Sequence, residues 1–211
     1  MFARRQKPLN ILTVGDSLTA GYHKYGQSYH PYSIHLKHLF DSINKPVSIT
    51  EKGVSGERVV PSMVKRLRHL LEQSTYYDWI IILGGTNDFA DQRPAERIFK
   101  DGLEPMYTMC LNHYQGKAKL VAMTVIENTI FSPTHNADEK RQKLNQMIRD
   151  YVAQSNDPDR VFLVDLDRGI PYHSVNDTAE RRRIWDDTLH LTAAGYDRMA
   201  TLVFDEIKDI I

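Results

Sequence analysis

The chain has 211 residues, enough for one large hydrophobic core, and no Pro/Gly/Ser-rich stretch divides it, so a single domain over 1–211 is expected. Its 27 Lys plus Arg offset its 27 Asp plus Glu, which excludes an overall field that would draw in nucleic acid or an anionic membrane. The lone cysteine, Cys110, excludes an internal disulfide, and no CxxC or Cys/His spacing suggests a zinc site or any other metal centre.

Residues 1–8 carry Arg4, Arg5 and Lys7 and pass within a few positions into an apolar run, leaving no room for a signal h-region. Apolar runs such as 79–83 are far shorter than the ~20 residues of a membrane span, so a cytoplasmic protein is expected. Short β-rich runs at 10–14, 47–50, 79–83, 120–125 and 161–165 each read as a buried strand. Between them apolar residues recur at helical spacing: Ile34, Leu39, Ile43; Val60, Val64, Leu67, Leu71; Ile98, Leu103, Tyr107, Leu111; Leu144, Ile148, Tyr151. Met199, Leu202, Val203, Ile207 and Ile210 predict a long closing amphipathic helix with Thr192 as its N-cap. Strands alternating with helices predict an α/β fold, a five-stranded parallel sheet in a three-layer α/β/α sandwich. In such a sheet ligands gather at the carboxyl ends of the strands, so the residues after each apolar run are the ones to inspect.

After the first run stands Gly15-Asp16-Ser17-Leu18-Thr19, a serine at a strand-to-helix junction, suited to a nucleophile. The same residues serve equally well to cap the helix or to cradle phosphate. After the second, Gly53-Val54-Ser55-Gly56-Glu57 is a small-residue turn whose amides can come close to a ligand. After the third, Gly84-Gly85-Thr86-Asn87-Asp88 offers the Asn87 amide as a donor to an oxyanion, or else caps a turn. Near the C-terminus, Asp187-Thr188-Leu189-His190 places an aspartate where it can accept the imidazole Nδ1 proton and leave Nε2 facing a serine. The other histidines, among them His30, His69, His113 and His135, read as surface or packing residues, and Cys110 as core. The basic runs Lys65, Arg66, Arg68 and Arg181-Arg182-Arg183 read as solvated faces, the second with a lesser option of holding an anionic substrate.

The four blocks occur in one order, three of them directly after successive strands. On these residues the chain resembles the GDSL-type, or SGNH, hydrolases, whose blocks read here Gly15-Asp16-Ser17, Gly53 through Gly56, Gly85-Thr86-Asn87-Asp88 and Asp187 through His190. The resemblance spans nearly the whole chain. It implies a flavodoxin-like α/β/α fold that hydrolyses esters without a cofactor, with Ser17 as nucleophile and Asp187 and His190 as its partners. It further implies an oxyanion hole of the Ser17 amide, the Gly56 amide and the Asn87 side chain. Family members often open the glycine block with asparagine, whereas this chain has Glu51-Lys52-Gly53, so Gly53 stands beside Gly56 as the donor.

In that chemistry His190 removes the serine proton during attack and later protonates the departing alcohol, and activity is expected to rise with pH as a histidine base titrates near ~6 to 7. The expected partner is a small-molecule ester with a small or short acyl group, an acetylated sugar among the options. Loops at 22–32, 89–94 and 126–131, with Trp185, line the pocket on this reading. A thioesterase or lysophospholipase with the same triad, a flavodoxin-like binding module and a non-catalytic scaffold are the alternatives. Oligomeric state is not legible.

Overall fold

The computed structural model describes residues 7–73, 76–128 and 136–211, and side chains throughout these except those of residues 136 and 137. The sequence readings at residues 1–6, 129–131 and 135 lie outside the described residues. Five parallel strands form the sheet: β1 (Leu9–Gly15), β4 (Val47–Gly53), β5 (Trp79–Ile82), β6 (Lys119–Met123) and β7 (Val161–Val164), in the order β4-β1-β5-β6-β7. The short pair β2 (Tyr22–His23) and β3 (Ser28–Tyr29) forms a separate antiparallel hairpin. In register, Leu9 lies beside Val47 on one side of β1, and Ile11 beside Trp79 on the other.

The inner strands are apolar on both faces because helices cover both. Ile11, Trp79, Ile81, Val121 and Met123 face one layer, with α2 (Tyr32–Ser42) and α9 (Ala193–Ile207). Leu12, Val14, Ile80, Ile82, Leu120 and Ala122 face the other, with α3 (Val64–Gln73), α5 (Glu104–Gly116) and α6 (Asn136–Ala153). The shorter helices are α1 (Ser17–Ala20), α4 (Ala95–Ile98), α7 (Leu166–Gly169) and α8 (Thr178–Ile184). Each strand lies within three residues of its predicted run, and Thr192 caps α9, its side chain accepting the Gly195 amide.

Two helical readings differ from the structure. In α2 the buried stripe is Tyr32, Leu36 and Phe40, at strict four-residue spacing, while Ile34 and Ile43 are exposed. Val60 is extended (φ −107°, ψ 120°) and α3 begins only at Val64. Pro61 explains this, since its ring excludes the preceding residue from the helical region. Cys110 is buried, as read.

The chain leaves β1 toward β4 on one side and toward β5 on the other. That reversal opens a crevice at the carboxyl end of β1, where a parallel α/β sheet places its ligands. Ser17 is two residues beyond the end of that strand.

Candidate active site

Asp16 breaks the strand and caps α1, its Oδ1 accepting the Leu18 amide at 3.0 Å. Ser17 becomes the first residue of a four-residue helix that ends at Gly21. The other side of the site is a tight loop from Trp185 to Leu191, closed by an antiparallel bridge between those two residues and by the Asp186 amide donating to the His190 carbonyl at 2.9 Å. Inside it, Asp187 Oδ1 accepts the amides of Leu189 and His190, both at 2.7 Å. Its Oδ2 lies 2.9 Å from His190 Nδ1, and His190 Nε2 lies 3.0 Å from Ser17 Oγ. A carboxylate only accepts, so Nδ1 of the neutral imidazole carries the hydrogen and Nε2 accepts the serine O–H. Burial favours a raised Asp187 pKa, but the two amides and the imidazole outweigh it and hold the carboxyl below its ordinary value.

Residues outside the four blocks hold this arrangement. The Tyr22 ring packs on the His190 ring with centroids 4.4 Å apart, and the buried Tyr196 hydroxyl donates to the Tyr22 carbonyl at 2.7 Å. The Lys24 amide donates to Asp186 at 2.6 Å, tying the hairpin to the histidine loop.

On the far side of Ser17, the Asn87 amide donates to the Glu57 carbonyl at 3.0 Å and makes a longer 3.4 Å contact with Asp16 Oδ2. Its second N–H is thus only weakly engaged. The two glycines differ. A Cβ at Gly53 would sit 2.2 Å from the Ala20 nitrogen, and the Gly53 amide is taken by the Glu51 carboxylate. Gly56 has φ 77° and open space around it, and among the described residues its amide has no hydrogen-bond partner. Glu51, which departs from the family's asparagine, therefore accounts for the Gly53 amide and leaves that of Gly56.

Two buried carboxylates knit the loops together. Asp88 accepts the amides of Val59 (2.7 Å) and Val60 (3.2 Å), joining the third block to the second. Burial pushes the Asp16 carboxyl up to about 7, with Asp88 and Glu57 adding like charge and the Leu18 amide opposing. Because this value lies above the 3.8 of an ordinary aspartate, the folded chain binds the proton more tightly than the unfolded one. The contribution to stability is present at acid pH and is lost as pH rises from about 4 to about 7. Asp16→Asn keeps an acceptor for the Leu18 amide and removes the buried charge. It is expected to stabilise the protein by roughly 2 kcal/mol more near pH 8 than near pH 4.5 in denaturant titrations. An equal effect at both pH values would refute the raised pKa.

Arg66 is not the solvated cation the sequence suggested. It donates to the carbonyls of Gly15 (3.1 Å) and Lys52 (2.9 Å) and grips both Glu57 oxygens, so one guanidinium joins the ends of β1, β4 and the Gly56 turn. Nothing in the local sequence marks it, since its partners lie 9 to 51 residues away. Arg66→Met leaves the buried Glu57 carboxylate without its guanidinium and takes one donor each from the Lys52 and Gly15 carbonyls, the latter keeping the Val54 amide at 3.0 Å, with an expected cost of about 2 kcal/mol and a lower thermal midpoint. An unchanged midpoint would show the clamp to be dispensable.

No helix among the described residues is long and apolar enough to cross a membrane. Nor, among the described residues, does any group of three or more His, Cys, Asp or Glu side chains come together to hold a metal.

The fold and site define an α/β/α protein with a serine, a histidine and an aspartate in one hydrogen-bonded line at the carboxyl edge of a parallel sheet. The chain belongs to the GDSL-like lipase/acylhydrolase family, whose model matches residues 13–198, and is in class an ester hydrolase. Among solved structures it is similar to the inhibitor-bound aryl esterase of M. smegmatis, with a TM-score of 0.73, 16% identity, and 96% of this chain and 100% of that one covered. It is also similar to Est24, a carbohydrate acetylesterase from Sinorhizobium meliloti (TM-score 0.69, 17% identity, 96% and 100% covered). A third is the lipase/acylhydrolase from Enterococcus faecalis (TM-score 0.71, 23% identity, 95% and 96% covered). At such identities the likeness is one of fold. A search of curated proteins gave no match.

Proposed function

We propose that this protein is a serine esterase that hydrolyses small or short-acyl carboxylic esters, acetylated sugars among them, through an acyl-Ser17 intermediate. The observation that carries the reading is the line from Asp187 Oδ2 to His190 Nδ1 at 2.9 Å and from His190 Nε2 to Ser17 Oγ at 3.0 Å. A serine hydroxyl is protonated near neutral pH and attacks slowly. His190 takes its proton as Oγ bonds to the ester carbon, and Asp187 holds the imidazole in the tautomer that allows it. The carbonyl oxygen, now negative, is received by the Ser17 and Gly56 amides and the Asn87 side chain. As the carbon–oxygen bond breaks, His190 returns the proton to the departing alcohol. A water activated by the same histidine then cleaves the acyl-serine, releasing the acid and restoring Ser17. The chemistry needs no cofactor. A buried thiol as the lone cysteine suits the cytoplasm.

The similar carbohydrate acetylesterase supports a small acyl group. The test is hydrolysis of p-nitrophenyl acetate, butyrate and octanoate by wild type and Ser17→Ala, with folding checked by circular dichroism. Turnover that falls with acyl length and is lost in the folded variant supports the reading. Equal activity or equal inactivity of the two proteins overturns it.

A further inference from the structure

A cavity of about 410 Å³ opens beside the histidine loop, within the range of roughly 300–1,000 Å³ that takes small organic ligands. Asp187 and Thr188, which lead into His190, form part of it, and Tyr25, Tyr172, Arg181, Arg182, Trp185 and Asp186 complete its lining. In the proposed mechanism the departing alcohol must sit beside His190 Nε2 to receive its proton, whereas the carbonyl oxygen points away toward Asn87. The cavity adjoins the histidine loop through Asp187 and Thr188, which makes it a candidate place for that alcohol.

Its lining is chemically specific. Tyr25 is 80% exposed and sits at φ 55°, next to Lys24 at φ 51°. A large ring held in solvent from a left-handed backbone has no packing explanation of its own. The Lys24 amide's bond to Asp186 fixes that backbone at the cavity's edge. The Tyr172 ring is braced edge-on against Trp185, with centroids 5.1 Å apart at 88°, and by the Arg181 guanidinium 4.9 Å above it. Arg181 donates to the Val175 carbonyl, but its Nε is buried and, among the described residues, without a partner. Such a donor is rarely left unfilled. Arg182 is exposed and has no ion pair among the described residues.

The charges balance, Arg181 and Arg182 against Asp186 and Asp187, so no net field selects an anion. What remains is an alternation of guanidinium donors and a carboxylate acceptor beside two tyrosine rings. Vicinal hydroxyls, each both donor and acceptor, match the first, and the C–H face of a pyranose matches the second. We infer that this cavity is an alcohol-side subsite for a neutral sugar, so that the preferred substrates are sugars carrying short acyl esters. The inference rests on the esterase reading and goes further by assigning the leaving group to named residues.

Two measurements test it on the intact protein. The first is the ratio of kcat/KM for methyl 4-O-acetyl-β-xylopyranoside, which keeps its vicinal 2- and 3-hydroxyls, to that for p-nitrophenyl acetate, in wild type, Tyr25→Ala and Arg182→Ala. Both side chains are exposed, so neither variant removes core packing. Each ratio is expected to fall about tenfold, the loss of one stacking surface or one charged hydrogen bond. The second is binding of methyl 4-O-acetyl-β-xylopyranoside to Ser17→Ala by saturation-transfer NMR, expected to weaken in the Ser17→Ala/Tyr25→Ala/Arg182→Ala variant. An unchanged ratio, or no difference in binding, overturns the subsite even where p-nitrophenyl acetate is still hydrolysed. If wild type cleaves neither ester, the esterase reading fails, and the binding measurement alone decides the cavity.

Discussion

Ser17→Ala, His190→Ala and the double variant are all expected to fall to the same residual activity on p-nitrophenyl acetate, about 10⁵-fold below wild type in kcat. The common floor follows from the geometry. The 3.0 Å bond between Ser17 Oγ and His190 Nε2 makes the two one working unit, so once either is gone the other has nothing to act on. What survives is the rate supplied by oxyanion donors and binding alone. The comparison is kcat for the three variants beside wild type, with thermal midpoints to show that each folds. Losses that multiply in the double variant would mean that serine and histidine act independently, and an active Ser17→Ala would remove the nucleophile altogether. Neither side chain is a large core element, so the midpoints are expected to move little.

Asn87→Ala is expected to lower kcat by ~10²- to 10³-fold with little change in KM. Negative charge appears on the carbonyl oxygen only as Oγ bonds to carbon, so a donor placed for that oxygen acts on the transition state and not on the bound ester. The Asn87 amide already spends one N–H on the Glu57 carbonyl, at 3.0 Å, and that bond orients the other. Alanine removes both. Asn87→Asp serves as the companion variant, since it keeps the size of the side chain and replaces the donor with a negative acceptor, and kcat is expected to fall at least as far. A change of less than about threefold in both variants would exclude Asn87 from the oxyanion hole.

Much of the fold was legible because strands buried on both faces write themselves as continuous apolar runs. The five runs and the five strands coincide to within three residues. Where the pattern misled, a competing rule won. Pro61 barred Val60 from the helix, and Tyr32, Leu36 and Phe40 took the buried face that Ile34 and Ile43 had suggested. The four motif blocks pointed to the site residues because catalytic geometry in a short loop is local. Asp187 and His190 are three residues apart, and the loop's own amides set their bond.

The side chains that support those blocks left no such trace. Arg66 and the Arg181 run looked alike in sequence, as clusters of basic residues. One proved to be a clamp on three loops, and the other lines a cavity beside an exposed tyrosine. Asp16 looked like a helix cap, which it is, but its carboxyl is pushed up to about 7 by burial and by the nearby charges of Asp88 and Glu57.

The five sheet strands, their alternation with helices and hence the parallel sheet, together with the local Asp187–His190 pair, were legible in the chain alone, since these depend on periodicity and on neighbours a few residues away. It took the folded chain to show that Ser17 meets His190 across 173 positions, that among the described residues the Gly53 amide is occupied and the Gly56 amide is not, and that Arg66 and Arg181 are held by distant partners. Hydrogen bonds and desolvation depend on distance in space, and chain separation says nothing about that until the sheet has brought its strand ends together.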